Sequence, residues 1–246
     1  MTRSDPYGDR HFDVPAASVI CADFDPLDLP ALCDLVRFGV MAEDQLARRY
    51  ADPAFGFSRL PQLEEAGVVD RWLETLEGAN VYSPRRMAFR IVGTVGVSPR
   101  KPRRTHLSHD VAVVDLADYL VAHEPGSRWI AEDELRNYLK QIAPEPLRLW
   151  RDIRHRPDGL LVTGEHRIGI ELEHSDKYHK RYTDILGWFV REWRIDRVRW
   201  YIDNPRVFQH LREVYELHSF DREMDIVLVE FPPGVHLRTR PGQFVR

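Results

Sequence analysis

Apolar residues recur at helical spacing in three short runs between Leu27 and Ala66. In the run 31–38, Leu32, Leu35, Val36 and Phe38 gather near one face, and in 42–50 Leu46 and Tyr50 stand four apart. A third run starts near Ser58, turns Leu60, Leu63 and Ala66 inward, and stops at Gly67, a natural C-terminal cap. Residues 68–92 then read as two β segments joined by the turn Glu77-Gly78-Ala79-Asn80. Helical spacing returns at 109–122 (Val111, Val114, Leu116, Leu120, Val121) and at 131–142 (Leu135, Leu139, Ile142). Beyond that, strands are expected at 147–150, 160–163, 168–173, 198–202 and 225–230, with helices over 176–194 and 205–217. The helix 176–194 carries the clearest stripe: Tyr178, Tyr182, Ile185, Leu186, Phe189, Val190 and Trp193.

Three helices followed by a hairpin is the layout of a winged helix-turn-helix, in which the third helix enters the major groove and the wing follows the phosphates. On that layout Ser58, Arg59 and Gln62 face base edges, and Arg85, Arg86 and Arg90 ride on the wing. The same fold used only for protein contacts or dimerisation is the alternative. The fold class is therefore α+β, a winged helix-turn-helix followed by a mixed-sheet α/β domain. Its division is an acidic arm (1–26), the winged unit (27–98), a basic linker (99–108) and the α/β domain (109–246).

Composition narrows the classes. The chain has 246 residues, 43% of them apolar and 11% aromatic, enough to bury a sizeable core and too many for a disordered chain. Cys21 and Cys33 make neither a disulfide framework nor a zinc site, and are read as small buried apolar residues. No export signal or membrane-length apolar run appears, so the expectation is a cytoplasmic protein without a membrane partner. The formal charge of -4 hides a strong asymmetry: residues 85–104 hold seven Arg or Lys and no acid. A solvated linker would show this too, but so would the footprint of a polyanion such as double-stranded DNA.

The densest chemistry lies between residues 155 and 180. In the strand 168–173, Ile168, Ile170 and Leu172 take one face and Gly169, Glu171 and Glu173 the other, setting two carboxylates about 7 Å apart along it. Asp158 opens the preceding strand, Lys177 and Lys180 fall in the first turn of the next helix, and His155 and His174 flank the group. Three acids packed together repel one another, so they require a cation or must pair with Lys177, Lys180 or Arg156. Trp150 and Trp188 stand near enough in sequence to flank such a site. No Walker A, GxGxxG, GxSxG or HExxH motif offers another chemistry.

The order helix, three strands, helix, strand, with Pro157-Asp158 and Glu171-Leu172-Glu173 in place, resembles the PD-(D/E)xK nuclease superfamily. Glu173 stands where that motif has lysine, and Lys177 or Lys180 is then the migrated lysine. The segments 129–136, 155–163 and 168–186 behind a winged helix look like the replication-relaxation family of plasmid and mobile-element proteins. The resemblance implies DNA binding tied to plasmid replication, transfer or their control, with a nuclease-like domain. It also implies a site of Asp158, Glu171, Glu173 and Lys177 in which Asp158 and Glu171 hold Mg²⁺ or Mn²⁺. Two other functions stay open beside it: a Mg²⁺-dependent DNA endonuclease, and a transcriptional regulator with a non-catalytic C-terminal domain. A homodimer is the quaternary expectation.

Overall fold

The computed structural model describes residues 24–72, 75–93, 102–142, 155–218 and 225–238. The expected arm up to residue 23, the expected strand 147–150 with Trp150, Cys21, and residues 94–101 of the basic stretch lie outside them.

The first unit runs α1 (Leu29–Phe38), β1 (Met41–Ala42), α2 (Glu43–Ala47), α3 (Pro53–Glu65), β2 (Val69–Arg71), β3 (Val81–Pro84) and α4 (Arg86–Val92). Its antiparallel sheet has the order β1-β3-β2. Leu32, Leu35, Leu46, Leu60, Leu63 and Tyr82 meet in one core. α3 begins at Pro53, five residues before the expected start, because the Asp52 carboxylate accepts from the Ala54 amide and caps it. Gly67, at φ +70°, turns the chain out of the helix.

Residues 85–92 are not the continuation of a wing strand. They form α4, which buries Ala88 and Val92 at i,i+4 spacing. The hairpin β2–β3 is correspondingly short, and the arginines expected on it sit elsewhere.

The second unit runs α5 (Leu107–His123), β4 (Ser127–Ala131), α6 (Glu132–Ile142), β5 (Gly159–Thr163), β6 (His166–Glu173), α7 (His179–Arg191), β7 (Arg197–Ile202), α8 (Pro205–Leu217) and β8 (Asp225–Glu230). The five strands lie in sequence order, β4, β5 and β6 antiparallel and β6, β7 and β8 parallel. The strand β4 was hidden in what reads as the approach to a helix. α5 covers one face, packing Ala112, Val113 and Leu116 with Leu161, Ile168, Ile170 and Leu172. α6, α7 and α8 contribute Leu135, Ile185, Phe189 and Leu211 to the other face, with Leu160, Val198 and Trp200. The fold is thus α+β with two sheets, and no helix among the described residues is long and apolar enough to cross a membrane.

Close packing brings the start of β5 up to β4. A Cβ on Gly159 would lie 1.9 Å from Cζ2 of the buried Trp129 ring. Gly159→Ala is expected to cost about 1–3 kcal/mol through forced repacking, read as a lower urea midpoint. Since Asp158 is the adjacent residue, the substitution should also disturb the site described next.

Candidate active site

The antiparallel register sets Gly159 opposite Ile170, so Asp158 arrives level with Glu171 just as β5 begins. The Leu172 amide donates to Asp158 Oδ2 at 2.8 Å and fixes that carboxylate against β6. With both faces of β6 covered, Glu171 and Glu173 are only 5% and 3% exposed. A solvated strand face would not look like this. The alternation that separates Ile168, Ile170 and Leu172 from Gly169, Glu171 and Glu173 holds, and Phe189 of α7 packs over Gly169.

Each acid meets a nitrogen. His109 Nε2 lies 3.0 Å from Asp158 Oδ1, and His155 Nε2 lies 2.6 Å from Glu171 Oε1. The Lys177 ammonium contacts Glu173 Oε2, while the Ser175 amide donates to Oε1 at 3.2 Å. Lys177 precedes α7 instead of lying in its first turn, and its own amide donates to Tyr182 Oη at 3.1 Å. Lys180, exposed on α7, does not line the cleft.

These surroundings move the titrations apart. Burial raises the Glu171 carboxyl, reinforced by the Asp158 charge and only partly offset by His155 and Lys177. For Asp158 burial pushes the same way, but His109 and the Leu172 amide outweigh it and the pKa is lowered. Lys177 is lowered by burial against the pull of Glu171 and Asp158, which places the ammonium within their field. Burial disfavours the His109 cation, yet Asp158 overcomes that and lifts the imidazole to about 9.

A folded pKa above the ordinary value of 6.5 means that the His109–Asp158 pair stabilises the fold fully below pH 6.5. That contribution is lost as pH rises through about 9. In chelator, urea unfolding should lose on the order of 1–2 kcal/mol across this window, a value discounted for partial exposure of the imidazole. A His109→Gln variant should show a flatter profile.

All four sequence-predicted residues, Asp158, Glu171, Glu173 and Lys177, line one cleft of about 570 Å³ at the carboxyl end of β6. His109 and Asp110 of α5 and Arg181 of α7 line it as well. None of these three carried a local sequence signal: His109 stands 49 residues from its partner and only the fold joins them. His155 belongs to the cleft and packs edge-on against Trp188 and Phe189. His174 does not, since it pairs with Asp203 at 2.7 Å. Arg156 lies on the rim near Glu132 and Asp133.

Among the described residues no three His, Cys, Asp or Glu side chains are already drawn together around a single point. Mg²⁺ does not require that, because it is commonly held by one or two carboxylates together with waters and substrate phosphate. The donors suit such an ion. Asp158 and Glu171 are hard oxygen ligands level with each other on adjacent strands. Burial of the Glu171 carboxylate opposes its charge, and a cation beside it would offset that cost.

The residues expected to read DNA are arranged differently from the expectation. Arg59 is turned into the protein, where its Nη2 lies 2.6 Å from Asp28 Oδ2, and it cannot meet a base edge. The reason is helical phase: Gly56, Arg59, Leu60 and Leu63 share the inward face of α3. Ser58 and Gln62 are exposed, although Ser58 donates to the Phe55 carbonyl and Gln62 to the Ser58 carbonyl. Arg85 sits at the N-terminal boundary of α4, makes no side-chain cap, and is paired with Asp70. Arg86 and Arg90 are exposed one turn apart on α4, so they form a helical patch and not a wing. Cys33 packs against the core of the first unit but is only partly buried, short of the burial expected of it.

No protein-family model, curated protein or solved structure matches this chain.

Proposed function

We propose that this chain is a DNA-binding protein whose C-terminal cleft hydrolyses phosphodiester bonds with the help of Mg²⁺ or Mn²⁺. The observation that carries the reading is the meeting of Asp158, Glu171, Glu173 and Lys177 in one cleft. The strand order supports it: an antiparallel β4-β5-β6 followed by a parallel β7 is compatible with the PD-(D/E)xK core, with Asp158 and the glutamates on its second and third strands. The first unit, with the order helix, short strand, two helices and hairpin, supports a winged helix-turn-helix. The tie to replication or transfer of a mobile element rests on the sequence resemblance.

Asp158 and Glu171 would hold the cation, which supplies charge stabilisation for the phosphate and a more acidic water. His155 orients the Glu171 carboxylate, and the Leu172 amide orients that of Asp158. Once Lys177 turns from Glu173 to a phosphate oxygen, Glu173 becomes free to accept a proton. Arg181 lines the cleft where a flanking phosphate would lie. Incubation of supercoiled plasmid with Mg²⁺ or Mn²⁺ should give nicked or linear product, and Lys177→Ala should slow it. Absence of cleavage with either ion would overturn the catalytic assignment.

One observation favours a second reading, a DNA-binding replication or transcription regulator that does not cut. The Lys177–Glu173 contact occupies the ammonium and one acid together. A non-cutting protein would bind DNA equally well with and without the cation.

The exposed pair on α4 tests DNA binding separately. The double variant Arg86→Ala, Arg90→Ala should weaken binding and reduce the slope of log affinity against log salt by about 2, one phosphate contact per arginine. A gel-shift titration at several salt concentrations reads this.

A further inference from the structure

Three histidines and an aspartate stand near one another without yet meeting at one point: Asp176 and His179 at the start of α7, His210 on α8 and His218 at its end. His179 Nε2 and His218 Nε2 lie 3.2 Å apart, with ring centroids 5.4 Å apart. Tetrahedral zinc with Zn–N bonds of about 2.0 Å sets two imidazole nitrogens about 3.3 Å from each other. The pair therefore already has the spacing of two ligands to one ion. His210 is the third ring, its centroid 6.3 Å from that of His179. Its Nδ1 lies 2.7 Å from Asp176 Oδ1. An ionised carboxylate only accepts, so Nδ1 carries the proton and Nε2 is left with its lone pair. That is the arrangement that orients a metal-binding imidazole.

We propose that His179, His218 and His210 bind a Zn²⁺ ion, with Asp176 orienting His210 and solvent completing the shell. His210 moves inward by about 1 Å to reach the ligand spacing of the other two. Nitrogen ligands of this kind select Zn²⁺ over the oxygen-seeking Mg²⁺, so this site and the carboxylate cleft take different ions. Asp176 precedes Lys177, and a bound ion would fix the segment that carries the cleft's ammonium.

The experiment titrates the full chain, in saturating Mg²⁺, with Co²⁺ as an absorbing probe and with Zn²⁺ by calorimetry and thermal unfolding. One ion per chain, a tetrahedral Co²⁺ spectrum displaced by Zn²⁺, and a raised unfolding temperature are expected. His179→Ala and His218→Ala, both at exposed positions, should abolish the signal. Asp176→Asn should weaken binding about tenfold or more. Glu171→Gln should leave binding unchanged, which separates this site from the cleft whatever the outcome of the cleavage assay. No tetrahedral spectrum, a signal that survives both histidine variants, or one lost with Glu171→Gln would overturn the proposal.

Discussion

Arg59→Ala is expected to lower stability by about 3–5 kcal/mol, enough to unfold much of the N-terminal unit at moderate temperature. Asp28 is completely buried, and its two oxygens are met by Arg59 Nε at 3.1 Å, Arg59 Nη2 at 2.6 Å and Tyr50 Oη at 2.9 Å. Removing the guanidinium leaves a carboxylate in the core with only the Tyr50 hydroxyl and, at 3.2 Å, the Asp25 amide as partners. The cost arises mostly from that stranded charge, not from the attraction lost. Asp28 and Arg59 replaced together by Leu and Met should therefore recover much of the loss. Tyr50→Phe, which removes a single hydrogen bond, should cost only about 1–2 kcal/mol. Urea unfolding of the set checks this. An Arg59→Ala protein as stable as wild type but unable to bind DNA would instead return Arg59 to the groove.

Glu171→Gln should reduce plasmid cleavage about a thousandfold or more, since an isosteric amide removes the anionic ligand and with it several kcal/mol of charge stabilisation. The same substitution should not destabilise the fold. Burial raises the Glu171 carboxyl, so its ionisation opposes folding: stability falls as pH rises from the ordinary value of 4.5 through the raised one. A neutral side chain avoids that loss, and Gln can still accept from His155. In chelator the variant should unfold at the same temperature as wild type or higher, and wild type alone should gain stability when Mg²⁺ is added. A variant that cuts as fast as wild type, or that unfolds several degrees earlier, contradicts this assignment.

How far the sequence reached depended on how local each signal was. The strand 168–173 and the helix after it were legible because one shows period two and the other period 3.6, although the helix covers only His179–Arg191 and leaves Tyr178 and Trp193 of the expected stripe outside it and exposed. Helix 205–217 and strand 225–230 coincide with the structure. The strand Ser127–Ala131 was not legible, because five residues ending where a helix begins give too little period to separate from it. Residues 85–92 misled for the same reason: with Arg85, Arg86 and Arg90 among apolar residues, the run fits either period, and burial of Ala88 and Val92 decided for helix. Arg59 was misplaced once α3 was started at Ser58, which hid its position between Gly56 and Leu63 on the inward stripe. The acids of the cleft announced themselves by spacing, but His109 comes from a distant helix and no window of sequence contains both partners.

The central claim is that Asp158 and Glu171 together hold a divalent cation. Anomalous diffraction from crystals of the full chain grown with Mn²⁺ tests it most directly. The account predicts one strong peak in the cleft, bonded to a carboxylate oxygen of each residue, and its disappearance in Glu171→Gln. A cleft without a peak at millimolar Mn²⁺, or a peak touching neither carboxylate, would contradict it.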